Sequence, residues 1–74
     1  YNLPEKAHVV LTIYNTAGQL VRTLIDREVE AGSYSVVWNG QDESGRSVAS
    51  GVYLYRLEAL DRGFVETKRM MLVR

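Results

Sequence analysis

Cysteine is missing from this chain, and proline, histidine, tryptophan and phenylalanine each occur once among its 74 residues. Without thiols there is no disulfide framework, no thiolate nucleophile and no thiolate ligand for a metal. That absence does not place the chain in the cytosol, since exported bacterial proteins often avoid cysteine altogether. An excess of either charge is missing too: nine Lys and Arg balance nine Asp and Glu. No general field draws in polyanions, so neither nucleic acid nor an anionic membrane is an expected partner. Long apolar runs are also lacking. Residues 9–11 and 70–73 are far too short to cross a bilayer, and no charged segment leads into a cleavable apolar stretch at Tyr1, so membrane insertion is not expected.

What is present is the content of one small folded domain over residues 1–74, with no internal repeat, low-complexity tract or linker. A hydrophobic fraction of 46% with 24% charged residues lies far from the signature of disorder. A chain of this size buries only about 60 to 65 percent of the surface its unfolded form exposes, so its stability margin is modest. The stretch 31–57 is the most informative. It alternates Tyr34, Val36 and Trp38 with Ser33, Ser35 and Val37, turns at Asn39-Gly40, passes through a polar loop and resumes as Val52, Tyr53, Leu54 and Tyr55.

Strands are predicted at 8–14, 20–24, 33–38, 52–60 and 64–73, with short pieces at 1–3 and 46–48, about seven in all. Helix competes poorly, because the β-branched and aromatic residues recur with period two. Glycine punctuates these runs, with turns at 15–18 and 61–63 closing hairpins and small-residue corners at 30–32 and 48–51 crossing between sheets. Many short strands with frequent turns predict an all-β fold, an antiparallel β-sandwich. Val9, Leu11 and Ile13 form the expected core side of one strand and leave His8 in water. Arg56 and Glu58 send Tyr53, Tyr55, Leu57 and Ala59 inward, with Val52 and Leu54 left on the polar side for a loop or domain to cover. In the last strand Glu66 and Lys68 share a side with Met70 and Leu72, which predicts a bulge near Arg69 or burial of both faces.

Several linked motifs occur in order: Tyr-Asn-Leu-Pro at 1–4, Val-x-Leu-x-Ile-Tyr-Asn-x-x-Gly-Gln-Leu-Val-Arg-Thr-Leu at 9–24, Ala-Gly-x-Tyr-x-Val-x-Trp-Asn-Gly at 31–40, Ser-Gly-Val-Tyr-x-Tyr-Arg-Leu at 50–57 and Thr-Lys-Arg-Met-Met-Leu-Val-Arg at 67–74. Together they resemble the C-terminal sorting domain of type IX secretion cargo, and equally the immunoglobulin-like domain of the flagellar hook-capping protein. The resemblance covers nearly the whole chain. It implies an immunoglobulin-like module hung on a larger exported protein of a Gram-negative bacterium, secreted or held at the cell surface, and read by the secretion translocon. It further implies that the sorting address lies in Thr67, Lys68, Arg69, Met70, Met71, Leu72, Val73 and Arg74, which match the basic-then-apolar ending. The loop 41–48 is longer than in many sorting domains and resembles the hook-capping type. Family members also carry most of a first strand before the position of Tyr1, which implies that these 74 residues come from a larger polypeptide.

The remaining chemistry reads blandly. Asn39, Asp42, Glu43 and Ser44 could offer oxygens to calcium, but they lack the alternating ligands and terminal glutamate of an EF-hand, and a solvated turn is the expected reading. His8 has no glycine-flanked nucleophile to activate and reads as an exposed edge residue. Tyr14, Tyr34, Trp38, Tyr53 and Tyr55 could stack on sugars, yet a chain this short needs most of them for its core, with Tyr14 the best candidate for exposure. Interleaved Arg, Lys, Asp and Glu residues predict cross-strand ion pairs. No catalytic residue, cofactor or metal is expected. The readings are a sorting or anchoring module, a spacer packed on a neighbouring glycoside hydrolase or peptidase through Val52 and Leu54, and, last, a carbohydrate-binding module.

Overall fold

The β-branched run Ala7–Asn15 forms β2, the central element of a computed structural model that describes residues 1–73. Among them the order is β1 (Asn2–Leu3), β2, β3 (Leu20–Val29), β4 (Gly32–Ser33), β5 (Gly51–Ala59), a 3-10 turn (Leu60–Arg62) and β6 (Phe64–Leu72). Four of these strands make one antiparallel sheet in the order β3-β2-β5-β6, and β1 pairs with β4 in a second, two-stranded layer. The architecture is the predicted all-β sandwich, with six strands rather than seven.

Register explains where the core sits. Val9, Leu11 and Ile13 stand opposite Ala59, Leu57 and Tyr55 of β5, so their side chains share one face. Val9 and Ile13 are each 1% exposed and are the largest fully buried side chains, and Leu3, Ala7, Val29 and Ala59 join Val9 in the core cluster. Burying each of the valine, leucine and isoleucine side chains contributes roughly 1.5–3 kcal/mol. The predicted turns hold. Asn15 accepts the amides of Ala17 and Gln19 on its side-chain oxygen, and Gly18 takes φ 82°, where a side chain would be strained. Gly63, at φ 66°, ends the 3-10 turn and delivers the chain to β6. The corner at 30–32 carries the chain from the four-stranded sheet to the second layer, as expected.

Six expectations are corrected. The strand predicted at 33–38 survives only as Gly32–Ser33; Tyr34 still exchanges backbone hydrogen bonds with Tyr1, but residues 34–38 belong to no strand, because among the described residues no segment pairs with the rest of them. The piece at 46–48 reduces to a single bridge, Gln41 to Ser47. The strand begun at Leu20 runs five residues past Leu24, since Asp26 and Glu28 point outward opposite Val10 and His8 while Ile25 stands opposite Leu11 and Val29 opposite Ala7. Leu60 belongs to the 3-10 turn, and His8 lies on a central strand rather than an edge. β6 has no bulge: its register with β5 runs unbroken from Gly51–Leu72 to Ala59–Phe64. Glu66 and Lys68 keep to the core side because β6 is the edge strand, where that side still meets water.

Candidate interaction surface

The second layer roofs the sheet only in part. Tyr1 and Tyr34 exchange both backbone hydrogen bonds at 2.8 Å, and their rings stack with centroids 5.3 Å apart. Burial, with the neighbouring Tyr34 adding to it, pushes the Tyr1 hydroxyl pKa up against a smaller opposing pull from Arg27. Trp38 meets Tyr53 edge to face at 5.1 Å and donates its indole N–H to Gln41 O. Between these anchors lies a cavity of about 460 Å³ whose walls include Leu11, Ile13, Leu57, Trp38 and Met70. Its only ionisable lining groups besides tyrosine are Glu66 and Lys68, which bond to each other at 2.8 Å, so the hollow gathers apolar surface and no reactive pair. Three of the predicted aromatics, Tyr34, Trp38 and Tyr55, line it and are half-buried, while Tyr53 alone of the five is buried in the core.

The loop that suggested calcium is a hydrogen-bonded turn. Asp42 accepts the Ser44 hydroxyl at 2.8 Å and the amides of Ser44 and Arg46 at 3.0 Å. The Ser44 hydroxyl first, and then the Arg46 amide, hold the Asp42 carboxyl below its ordinary range. Glu43 turns away and accepts the Thr23 amide, while Arg22 donates to Asp42 O at 2.8 Å, so the loop is laid against β3. Among the described residues no group of three or more His, Asp or Glu is placed to hold a metal. His8 meets Asp26 at 2.6 Å on the outer face of the sheet. Ion pairs join Lys6 to Glu28 and Arg62 to Glu5 at 3.3 and 2.9 Å; all are exposed, and such pairs contribute little stability.

What remains as a functional surface is the outer face and edge around β6. Of the predicted tail, Thr67 through Leu72 lie in β6 and Val73 follows it; Arg74 lies outside the described residues. Thr67, Arg69 and Met71 point to the outer face and Lys68, Met70 and Leu72 to the core side, so the tail is divided between two faces of one strand. Glu66, through a hydrogen bond and its charge, holds the Lys68 ammonium above the ordinary lysine pKa. Across the outer face Leu20 stands opposite Tyr14, Tyr14 opposite Leu54, and Val52 opposite Met71. Leu20 and Met71 are 54% and 65% exposed. The sequence singled out Val52 and Leu54 but not their companions, because only cross-strand register brings those together. Among the described residues no helix is long and apolar enough to cross a membrane.

Comparison with known proteins fits this geometry. The chain is similar to part of a solved structure of PorZ, an essential bacterial surface component of the type-IX secretion system of the human oral bacterium Porphyromonas gingivalis. The two share 26% identity with a TM-score of 0.62, over 92% of this chain and 8% of that one, so the chain spans a small fraction of that protein. No curated protein sequence matches the chain significantly. The model of the FlgD Ig-like domain matches residues 1–63, from the first residue of the upper layer to the glycine that launches β6. With a sandwich of the matching kind behind it, the chain belongs to the FlgD Ig-like domain family.

Proposed function

We propose that this domain is a non-catalytic C-terminal module of a secreted or surface-held bacterial protein, serving type IX secretion as a sorting or anchoring unit. The observation that carries this reading is the likeness to PorZ, a surface component of that system, at 26% identity over 92% of the chain. The absence of a converging catalytic group among the described residues fits it. In this reading residues 67–74 hold the address, of which 67–72 lie on an edge strand where a receptor can reach both faces of the sequence. The experiment is a fusion of residues 1–74 to a reporter in a type IX-competent bacterium, with and without residues 68–74. Because that deletion removes most of β6, a second variant keeps the strand and changes only outward groups, Arg69→Glu with Met71→Thr, with folding checked by circular dichroism. Loss of export in both is expected; export that survives both removes the reading.

A second reading, a spacer packed on a neighbouring domain, is favoured by the apolar row Leu20, Tyr14, Leu54 with Val52 and Met71 beside it. In that case Leu54→Asp lowers the neighbour's melting temperature, whereas in a pure sorting module it does not.

A further inference from the structure

The four-stranded sheet has two edges that are treated differently. β3 is covered over its first half: Glu43 N donates to Val21 O at 3.1 Å, the Glu43 carboxylate takes the Thr23 amide, and two register shifts break the β2–β3 ladder. β6 is nine residues long, contains no proline and keeps an unbroken register with β5. Among the described residues no segment pairs with its free side. A long, regular, uncovered edge is a template for another strand.

The sequence of β6 selects that strand. Directly opposed residues share a face, so two copies joined in one sheet with their cores on the same side are related by an axis through one residue of β6. An axis at Glu66, Lys68 or Arg69 sets that charge against itself. An axis at Thr67 sets Glu66 against the partner's Lys68 and Lys68 against the partner's Glu66, with Phe64 against the partner's Met70 on the same face. Thr67 then meets the partner's Thr67 on the other face. Within β6 this is the one centre at which opposite charges face each other, and threonine pairs and opposite charges are favourable cross-strand neighbours. The groups are reachable: the side chains of Glu66 and Lys68 are 40% and 59% exposed, and Phe64 is 46% exposed.

We propose that β6 is a self-complementary edge through which two copies pair antiparallel about Thr67, continuing one sheet across eight strands. The partner is a second copy of this chain. The inference stands apart from the sorting reading, because it concerns whether the edge pairs with itself rather than what the tail addresses. An edge-to-edge contact buries less than a standard interface, so the dimer is weak and in rapid exchange.

The test is sedimentation of residues 1–74 from about 10 μM to about 1 mM, the range in which such a contact should populate. A monomer–dimer equilibrium is expected. Glu66→Lys and Lys68→Glu each place like charges across the axis and should weaken dimerisation about tenfold. Mixing the two variants opposes Lys to Glu at both positions and should restore a heterodimer at least as tight as the native pair. Circular dichroism and melting of each variant alone separate lost pairing from lost folding. A native chain that stays monomeric throughout, single variants that dimerise unchanged, or a mixture that does not recover would each overturn the proposal.

Discussion

The two layers of this sandwich are built from equally alternating sequence, yet one is a four-stranded sheet and the other pairs only over β1 and β4. In the lower layer, β2 and β5 place Val9, Leu11 and Ile13 against Ala59, Leu57 and Tyr55 in continuous register, and backbone pairing and apolar burial reinforce one another. In the upper layer, Tyr34, Val36 and Trp38 face the cavity with the same period, but no strand lies beside them. They are held by anchors at the ends: Tyr34 Oη donates to Glu30 O at 2.6 Å, Trp38 to Gln41 O at 2.9 Å, and Tyr53 Oη to Ala49 O at 2.7 Å nearby. Tyr1 and Tyr34 exchange both bonds of an antiparallel pair, so by the two-residue repeat the next outward-facing backbone groups on that side belong to Val36. Among the described residues those groups bond to no other segment. Alternation selects an extended backbone; a neighbour at the right register turns it into a strand.

The largest effect that would break this comparison comes from paired truncations on the two sides of the cavity. Ile13→Ala empties a site 1% exposed in the central strand and should cost about 2–5 kcal/mol, a fall in melting temperature of roughly 10 °C or more for a domain of this size. Val36→Ala, facing the same cavity from the upper layer at 39% exposure, should cost less than about 1 kcal/mol. Denaturant melts followed by circular dichroism measure both, and equal losses would mean that the layers bear equal weight.

A smaller effect sharpens the role of the anchors. Trp38→Phe keeps a ring beside Tyr53 but removes the donor to Gln41 O, which should cost about 0.5–1.5 kcal/mol. Its signature is local: amide exchange should rise through residues 38–41 and remain unchanged in β2 and β5. Exchange that rises across the whole sheet would show that the upper layer cannot loosen independently.

The same contrast explains what the sequence made legible. β2 and β5 were readable because their apolar period is two, and the inward set Tyr53, Tyr55, Leu57 and Ala59 followed from Arg56 and Glu58 beside it; β6 was readable as a strand but not in its faces, because charges and methionines share each side. The second half of β3 was not, because Asp26, Arg27 and Glu28 carry the composition of a loop and become a strand only when β2 supplies the ladder. Residues 33–38 failed in the opposite way, with strand composition and no partner. For the tail, sequence gave an extended segment with charges and methionines. That it forms an edge, with Glu66 and Lys68 at the rim of the cavity and Met71 beside Val52, depends on strand order, which local pattern does not encode.

The smallest effect concerns the loop that stands between the layers and covers the first half of the β3 edge. Asp42 accepts three hydrogen bonds from Ser44 and Arg46, and they favour the carboxylate over the acid, so its folded pKa lies below the ordinary 3.8. A depressed folded pKa gives stability that is fully present above the unfolded value and is lost as pH falls through the folded one. The turn should therefore be insensitive to pH through the neutral range and loosen only in acid below the usual aspartate range. The amide resonances of Ser44 and Arg46 report it directly: they should move together with an apparent midpoint below that of a free aspartate, while amides of β2 hold still. Asp42→Asn should abolish the shared transition and leave the melting temperature nearly unchanged, because an amide oxygen can still accept from Ser44 and the site is exposed. If the two resonances instead titrated with separate midpoints, or β2 moved with them, the loop would be part of the same cooperative unit as the sheet, and the division between layers drawn above would fail at its junction.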